Sequence, residues 1–374
     1  MVDIILVRSN SVIYDPRVDK IVRSLSKKYS ILVLGWNREG VTKQNIGEYI
    51  VKLELFNVKT SFWRPSLLRM FVRLGAYFSL FWIWIFVRLI ICRPKIIHAC
   101  DLDTILPCYL YKILFRKKLV FDVFDRYAMA FIPMKFKRFY SIVNWLEENF
   151  AKNSDVLMTV NEKLLNTFRR PKHSAIIMNC PQDHRVTVSS SRERRKNDEL
   201  TLIYTGLIRN MRSLESVASA INDMDGVQFM MVGPIMDNEL LRQLISIPNI
   251  KYRGLLKPSE ALDLEASSDV MIALYDLRDP QINFAIPNKV LESMMCGIPV
   301  ISNVAQELIK EVDCGVVVEY GNVDQIRETI IKLKDNPELR KRLGDNGRKA
   351  FLEKYNWNRM EQKLYEIYSS MMKK

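Results

Sequence analysis

Two successive series of short β-branched runs, each run followed by a helical pattern, constrain the fold of this chain more than any other feature of its sequence. Short apolar runs that alternate with helices are typical of βαβ units and parallel sheets. The predicted strands are Ile4–Val7, Ile31–Leu34, Ile96–Ala99, Leu119–Asp122 and Val156–Val160 in the first series and Leu202–Tyr204, Gln228–Val232, Ile250–Arg253, Val270–Ala273, Pro299–Ile301 and Gly315–Val318 in the second. The sequence therefore predicts an α/β protein with two parallel-sheet domains.

The boundary between the domains is predicted at Val186–Asp198, a polar stretch without hydrophobic periodicity. A chain of 374 residues suits two domains of roughly 100–200 residues each. We therefore expect one domain over residues 1–185 and a second over residues 199–354, with a helical tail from about 355 to 374. In the first domain, Asp15 and Pro16 predict a helix start, because aspartate caps helices and proline suits their first turn.

A basic and apolar region lies in the first domain. Between Arg64 and Arg138 there are fourteen Lys and Arg against four Asp, and the most apolar run, Leu74–Val87, lies within it. Extended to Cys92, this run approaches the about 20 residues that cross a bilayer, but basic residues flank both of its ends. Three interpretations stay open: a transmembrane helix, a helix in the membrane interface, and a buried helix. The basic flanks and the Trp and Phe side chains favour the interface, so we expect contact with an anionic membrane surface through residues 62–95.

The sequence predicts a cytoplasmic protein that is peripheral on the inner face of the cell membrane. The N-terminus, Met1–Val7, has no basic leader and no cleavage site, so no signal peptide is expected. The six cysteines include no Cys-x-x-Cys pair, which favours reduced thiols over a disulfide framework or a zinc site. The net charge of +14 would also suit nucleic acid, but no aromatic stacking platform or reader motif accompanies it, so no nucleic-acid partner is expected.

A candidate ligand site begins at Pro287. Pro287 suits the first turn of a helix and Gly297 suits the C-terminal cap of the same helix, whose N-terminus would present free backbone N–H groups and a positive dipole end to a diphosphate. Lys289 adds a positive charge in that first turn, and the carboxylate of Glu292, one turn later, can accept two hydrogen bonds from a ribose diol. The alternative interpretation is a surface helix with a solvated lysine and glutamate.

The sequence resembles glycosyltransferase family 4, the retaining enzymes of the GT-B fold that include bacterial and archaeal polysaccharide-biosynthesis transferases. The resemblance covers nearly the whole chain. The segments that carry it are Asp15–Val18, Leu34–Arg38, Ile97–Asp103, Tyr204–Gly206 with Arg212, Pro287–Glu292 with Cys296–Ile301, and Asn336–Arg340 through Tyr355–Trp357. The resemblance implies two Rossmann-like domains that face a cleft, with the acceptor bound by the first, the nucleotide sugar by the second, and the last helix packed back on the first.

The resemblance also implies the roles of individual residues. Arg212, Lys289 and Asp125 are the expected catalytic residues, with Arg212 in the position of a lysine that contacts the diphosphate. The expected donor-binding residues are Gly206, Arg209, Arg212, Gly233, Gly254, Asn288, Lys289 and Glu292. The expected acceptor-binding residues are Asp15, Arg17, His98 and Asp101. No cofactor is implied besides the nucleotide sugar itself, which acts as co-substrate.

No metal site is expected, although Asp101-Leu102-Asp103 has the form of the Asp-x-Asp motif that holds a divalent cation in a different class of glycosyltransferases. The run matches the N-terminal loop of family 4 instead, and no second carboxylate pair accompanies it. His98 follows an apolar strand, where a lone histidine is more often structural, and the three histidines form no metal or nucleophile constellation. The sequence also lacks a Gly-x-Gly-x-x-Gly turn and a Walker loop, which excludes ordinary dehydrogenases and kinases.

Three positions depart from the pattern of the family. Phe284 stands where many members have a glutamate that holds the donor sugar, and Phe124 stands where many have a histidine. Leu207 stands where many members have an arginine directly after the glycine that ends the strand. Two functions therefore remain. The first is a glycosyltransferase that moves a sugar, with retention and without a metal, from a nucleoside diphosphate to a lipid-linked or polysaccharide acceptor. The alternative is an inactive scaffold of the same fold that binds a membrane or a partner.

Overall fold

The structure is a computed structural model that divides into two compact units, Met1–Asn179 with Met360–Lys374 (unit 1) and Cys180–Arg359 (unit 2). It describes residues 2–10, 12, 15–38, 40, 51–58, 67–132, 134–169, 171–183, 199–278, 282 and 286–373, without the side chains of 67–74 and 134. The predicted linker and Phe284 lie outside these residues, as does part of the 62–95 region. Each unit is an α/β sheet, as the alternation of runs predicts.

Unit 1 is built on a seven-stranded parallel sheet in the order β3-β2-β1-β4-β5-β6-β7. Its strands are β1 Ile4–Val7, β2 Ile31–Trp36, β3 Lys52–Phe56, β4 Ile96–Cys100, β5 Lys118–Val123, β6 Val156–Thr159 and β7 Ser174–Ile176. The central strands are buried on both faces, since helices cover the two sides of such a sheet. The chain order reverses between β1 and β4, which makes the carboxyl ends of these two strands the switch point of unit 1.

The helices of unit 1 are α1 Pro16–Ser26, α2 Leu67–Cys92, α3 Leu102–Phe115, α4 Tyr127–Phe131, α5 Lys137–Asn153 and α6 Glu162–Leu165, and the chain returns to this unit in α14, Trp357–Lys373. Helix α1 starts as predicted, since the Asp15 side chain accepts a bond from the Val18 backbone N–H and Pro16 opens the first turn. Its apolar face, which includes Ile21 and Leu25, is buried against the sheet. The amphipathic period of this segment was therefore a sufficient signal for the helix and for its core face.

Helix α2 contains the apolar run and is not a plain buried helix. Phe81, Ile85 and Leu89 form a stripe at i, i+4 and i+8 that is fully buried, whereas only 17% of the window Gly75–Cys92 is enclosed. This window is long and apolar enough to cross a bilayer by length and composition, but a single helix of this kind is weak evidence for a span. The interpretation as a wholly buried helix is therefore wrong, and the two membrane interpretations stay open.

Unit 2 is built on a six-stranded parallel sheet in the order β10-β9-β8-β11-β12-β13. Its strands are β8 Leu200–Thr205, β9 Val227–Val232, β10 Ile250–Tyr252, β11 Val270–Ala273, β12 Val300–Ser302 and β13 Gly315–Val317. Its helices are α7 Leu214–Ile221, α8 Asn238–Ile245, α9 Pro258–Ala266, α10 Asn288–Cys296, α11 Gln306–Val312, α12 Val323–Asp335 and α13 Pro337–Glu353. Here the chain order reverses between β8 and β11.

The predicted α/β class with two Rossmann-like sheets is confirmed, and all eleven predicted strands form within a few residues of their expected bounds. Two strands were missed. Strand β3 lies at the sheet edge and is half-exposed, so its sequence lacks an apolar run, and β7 has only three residues. No disulfide joins the six cysteines, all of which the structure describes.

Candidate active site

The N-terminus of α10 lies at the switch point of unit 2, where open α/β sheets bind ligands. Pro287 is the N-cap residue and not part of the first turn, and Gly297 closes the helix in the left-handed conformation with φ of 63°. Tyr275 follows β11 and is fixed by Asn303, whose side chain bonds both the backbone N–H and the carbonyl of Tyr275 at 2.8 Å. The ends of β11 and β12 thus form one rigid wall of the site.

Lys289 and Glu292 form an ion pair on α10. The Lys289 Nζ donates to Glu292 Oε2 at 2.7 Å, and both side chains are largely enclosed. Burial alone would lower the pKa of Lys289, but Glu292 and Glu265 outweigh it and raise this pKa above its ordinary value. Lys289 is therefore a persistent cation at the helix start, where the backbone N–H groups and the helix dipole already favour an anion.

A second acid at this site was missed by the sequence analysis. Glu265, near the end of α9, lies with its Oε1 3.8 Å from Lys289 Nζ and accepts a hydrogen bond from the Thr205 hydroxyl at the end of β8. It is 1% exposed. Burial, followed by the charge of Glu292, raises the pKa of Glu265 to about 8, against the opposing effects of Lys289 and Thr205.

Arg212 lies in the loop that connects β8 to α7. Its neighbours Met211 and Ser213 have φ of 73° and 52°, a conformation that costs free energy in residues other than glycine and clusters at functional sites. The Arg212 guanidinium stacks 4.7 Å from the centre of the Tyr275 ring. The backbone N–H of Asp276 donates to the carbonyl of Met211 at 3.1 Å, so the loop is held against the end of β11. Arg212 is thereby brought to the same sheet edge as Lys289.

The three predicted donor-site glycines lie at the carboxyl ends of neighbouring strands. Gly206 follows β8, Gly233 follows β9, and Gly254 lies just beyond β10 and accepts a bond from the Gly233 N–H at 3.0 Å. At Gly233, with φ of 135°, a Cβ would approach the Gly206 carbonyl oxygen to 2.0 Å. Only glycine allows these two loops to pack this closely. Arg209 lies in the first of them, and its Nη2 reaches the Met211 sulfur at 3.8 Å.

In unit 1, His98 and Arg17 belong to a buried polar network around Asp122. The Asp122 carboxylate accepts from Arg17 Nη2 at 2.6 Å and Nε at 3.2 Å, and it lies 3.2 Å from His98 Nε2. The other ring nitrogen of His98 bonds the Tyr368 hydroxyl at 2.5 Å, from α14. The structure does not support direct acceptor contact by Arg17 or His98, because both are enclosed and engaged by these partners.

Asp101 and Asp15 meet at Arg8, at the switch point of unit 1. Arg8 forms ion pairs with both carboxylates, and Asp101 also accepts from the backbone N–H of Phe124 at 2.8 Å. Burial raises the pKa of Asp101 to about 7, although Arg8 opposes it. Asp101 has φ of 63°, so the backbone leaves β4 in a conformation that is costly for a non-glycine residue.

Phe124 and Asp125 follow β5 at the same edge of the sheet. The Phe124 ring lies between two guanidinium groups, 4.2 Å from that of Arg8 and 4.9 Å from that of Arg17. The phenylalanine at this position therefore packs against cations. Asp125 is half-buried beside it, which keeps the predicted sugar contact of Asp125 open.

Within the described part of the chain, one group of three side chains is close enough to share a metal ion, His98, Cys100 and Asp122, with ligand atoms within 4.8 Å of one another. Asp122 is already bound by the Arg17 guanidinium, whose charge would repel a cation. In the Asp-x-Asp run, both Asp101 oxygens are held by Arg8 and Phe124, and Asp103 accepts from Ser9. The chemistry of neither group favours a metal.

Residues 199–336 match the sequence profile of the family "Glycosyl transferases group 1". The chain is 21% identical over 291 residues to an uncharacterized glycosyltransferase of Methanocaldococcus jannaschii, which covers 72% of this chain and 73% of that protein. It is 28% identical over 148 residues to the GDP-mannose-dependent monoacylated alpha-(1-6)-phosphatidylinositol monomannoside mannosyltransferase of Corynebacterium glutamicum, 38% of this chain and 39% of that protein.

Among solved structures, Anabaena HepE in complex with UDP and glucose is similar to this chain in fold. The match has a TM-score of 0.73 at 14% identity and covers 99% of this chain and 100% of HepE. The structural neighbours are glycosyltransferases of the GT-B fold, so the predicted GT-B class is confirmed.

Proposed function

Because this chain is a glycosyltransferase of group 1 that uses nucleotide sugars, we propose that it moves the sugar to a lipid-linked or saccharide acceptor. The transfer retains the configuration at the anomeric carbon and needs no metal ion, as the resemblance to family 4 implies. One observation carries the proposal: Lys289, Glu292 and Arg212 meet at the switch point of the unit 2 sheet, beside the N-terminus of α10.

The donor diphosphate binds at Lys289 and Arg212. An ammonium group has three donors, so the bond from Lys289 to Glu292 leaves others for phosphate oxygens. The Arg212 guanidinium is oriented by the Tyr275 ring and can bind phosphate with two parallel bonds. Because negative charge grows on the diphosphate as the sugar departs, these cations and the helix N–H groups stabilise the transition state more than the ground state. Asn288 and Arg209 border the same site.

The ribose binds at Glu292, and the acceptor at the polar edge of unit 1. Glu292 Oε2 is taken by Lys289, which fixes the carboxylate for the ribose diol. In unit 1, Asp15 and Asp101 are held by Arg8, and Asp125 lies on the neighbouring turn. Carboxylates accept hydroxyl hydrogen bonds, and we assign Asp125 a contact with a sugar hydroxyl.

The donor site is tested by calorimetry with a panel of UDP-, GDP- and ADP-sugars. We expect one nucleotide class to bind, and Arg212→Ala and Glu292→Ala to lower turnover by roughly 10–1000-fold, the effect of removing one charged contact. Lys251→Ala, which removes an exposed cation from β10, is the matched control. Unchanged turnover in both site variants would show that the donor binds elsewhere.

A lipid-linked acceptor is supported by the surface of unit 1. Helices α2, α3 and α5 connect strands that follow one another in the same direction along the sheet, so right-handed crossovers put them on one face. Ring contacts join α2 to α3 and α3 to α5. Among the side chains that the structure describes, the large apolar ones that these three helices expose are Leu80, Ile83, Val87, Ile90, Ile91, Leu110, Ile113, Leu114, Phe115, Phe139, Ile142 and Trp145. We call this set the apolar face of unit 1.

Basic side chains border the apolar face. Arg93 follows α2, Arg116 follows α3, Lys135 precedes α5, and Lys137 and Arg138 begin α5, all of them exposed. Large exposed apolar patches are rare on monomers that contact only water, and basic borders suit anionic headgroups. The sequence prediction named residues 62–95, and this face extends that prediction to α3 and α5. Such a surface holds the protein on the cytoplasmic side of a membrane, where a lipid-linked acceptor is presented.

Vesicle sedimentation tests the membrane part of the proposal. We expect the protein to sediment with phosphatidylglycerol vesicles and much less with phosphatidylcholine vesicles. The double variant Ile142→Glu/Trp145→Glu should lose binding by tenfold or more, because it puts two charges on the apolar face. Leu255→Glu, a 75% exposed leucine of unit 2, is the matched control and should bind as the wild type does. Equal sedimentation with both lipids in all variants would refute membrane docking by this face.

A further inference from the structure

Glu265 is a buried acid in a helix that buries little else. Helix α9 encloses only Glu265 and Ala266, whereas Asp263 and Glu260 are exposed. The Glu265 Oε1 accepts from the Thr205 hydroxyl, and its Oε2 is enclosed with no hydrogen-bond partner among the described residues. A fully buried glutamate is rare, and an ionised carboxylate with an unpaired oxygen is costly. Packing alone gives no reason for a glutamate here.

The charge around Glu265 is unfavourable for a diphosphate when Glu265 and Glu292 are both ionised. Helix α10 supplies Lys289 and Glu292, and β8 supplies the neutral side chains of Thr205 and Tyr204, while Tyr275 lies beside Lys289 beyond β11. Two carboxylates then share one ammonium group, which leaves this cluster with a net charge of −1. Arg212 and Arg209, from the loop after β8, are the other cations near these tyrosines.

A proton on Glu265 removes this conflict. The neutral acid costs far less to bury, Oε2 is the oxygen available to carry the proton, and Oε1 keeps its bond from Thr205. The Lys289 charge is then balanced by Glu292 alone and is open to phosphate oxygens. We propose that Glu265 is a positioning residue that takes up a proton when the nucleotide sugar binds, so that Lys289 is committed to the diphosphate.

This inference rests on the donor site proposed above and adds a linkage between donor binding and pH. Since burial and Glu292 raise the pKa of Glu265 to about 8, the free protein holds about half a proton there at pH 8. Added negative charge at Lys289 favours the protonated form. Donor affinity should therefore fall by about fourfold from pH 6.5 to pH 8.5, as Glu265 ionises in the free protein.

The experiment is calorimetry of the full-length protein with the nucleotide sugar that binds in the panel, at pH 8 in HEPES and in Tris. A nucleotide sugar is the right probe because its diphosphate is esterified at both ends and does not titrate in this range. Different ionisation enthalpies of the two buffers reveal protons taken up. We expect about half a proton for the wild type, none for Glu265→Gln, and an unchanged uptake for Asp263→Asn, the exposed carboxylate on the same helix.

The outcomes separate this inference from the function it rests on. If the wild type binds no nucleotide sugar, the donor site and the inference both fail. If the wild type binds with the same heat in both buffers and a flat affinity between pH 6.5 and 8.5, the inference alone is overturned. If Glu265→Gln takes up as many protons on donor binding as the wild type does, the inference is overturned as well. Should Glu265→Gln fail to fold, the buffer comparison on the wild type still decides, because a merely structural glutamate takes up no proton.

Discussion

Replacing Asp122 with asparagine is expected to destabilise unit 1 by about 3–5 kcal/mol, the usual cost of removing one partner from a buried ion pair. The variant keeps the shape of the side chain but leaves the Arg17 guanidinium, which is 4% exposed, without its counter-charge. Two donors of Arg17 lose a charged acceptor, and only the bond to the Ile177 carbonyl remains unchanged. Arg17→Met in the same chain should recover part of the loss, since it removes the orphaned cation.

Urea unfolding followed by tryptophan fluorescence measures this change. Five of the six tryptophans lie in unit 1, so the fluorescence reports mainly on this unit. With a denaturant dependence of about 2–3 kcal/mol per molar urea, the midpoint should fall by about 1–2 M. The matched control is Asp19→Asn, which breaks an exposed Asp–Arg pair on α1 and should cost no more than about 0.5 kcal/mol.

The difference in stability between the wild type and Asp122→Asn depends on pH with a definite sign. Burial alone would raise the pKa of Asp122, but Arg17 and His98 together lower it to about 2. The folded pKa lies below the unfolded value, so the stabilisation is complete above about pH 4 and is lost as the pH falls towards 2. The difference in urea midpoint between the wild type and Asp122→Asn should stay constant from pH 8 to pH 5 and become smaller below pH 4. A midpoint that Asp122→Asn leaves unchanged at pH 7 would refute the account of the network.

Three further predictions concern packing and metal dependence. Gly344→Ala should destabilise unit 2 by about 1–3 kcal/mol in urea unfolding, because its Cβ would lie 2.3 Å from the Gly297 carbonyl oxygen; an unchanged midpoint would contradict the close packing of α13 on α10. Gly75→Ala in α2 has nothing within 4 Å of the new Cβ and should stabilise the protein by about 0.5–1 kcal/mol, and a lowered midpoint would refute this. Turnover should change less than twofold with EDTA, whereas a loss that Mn²⁺ or Mg²⁺ restores would contradict metal-independent transfer.

Most of the strands could be predicted from the sequence, because a strand buried on both faces must be an apolar run. The same reasoning missed β3, whose residues Lys52–Phe56 alternate at a half-exposed edge. The same reasoning also could not decide whether protein or membrane covers α2. The apolar composition of α2 shows that the helix avoids water, but whether protein or lipid covers it depends on neighbouring helices that are distant in sequence.

Spacing alone predicted the part of the candidate site that one segment carries, whereas the expectation for Arg212 and for the glycines of other loops came from the resemblance. Lys289, Glu292 and Gly297 share a helix, so their spacing was sufficient. Glu265 lies over twenty residues earlier, and its helix shows Leu262 and Leu264 as the obvious inward residues, yet the structure buries the acid instead. The partners of His98, Asp122 and Tyr368, come from other elements and could not be inferred from spacing.

The network that ends at Tyr368 also sets an order of assembly. Unit 1 is discontinuous in the chain: its last segment, Met360–Lys374, is synthesised after all of unit 2. Until that segment emerges from the ribosome, His98 lacks the Tyr368 hydroxyl and the face of the sheet that α14 covers is bare. Unit 2 is continuous and can fold first. The N-terminal half is therefore made first but completed last.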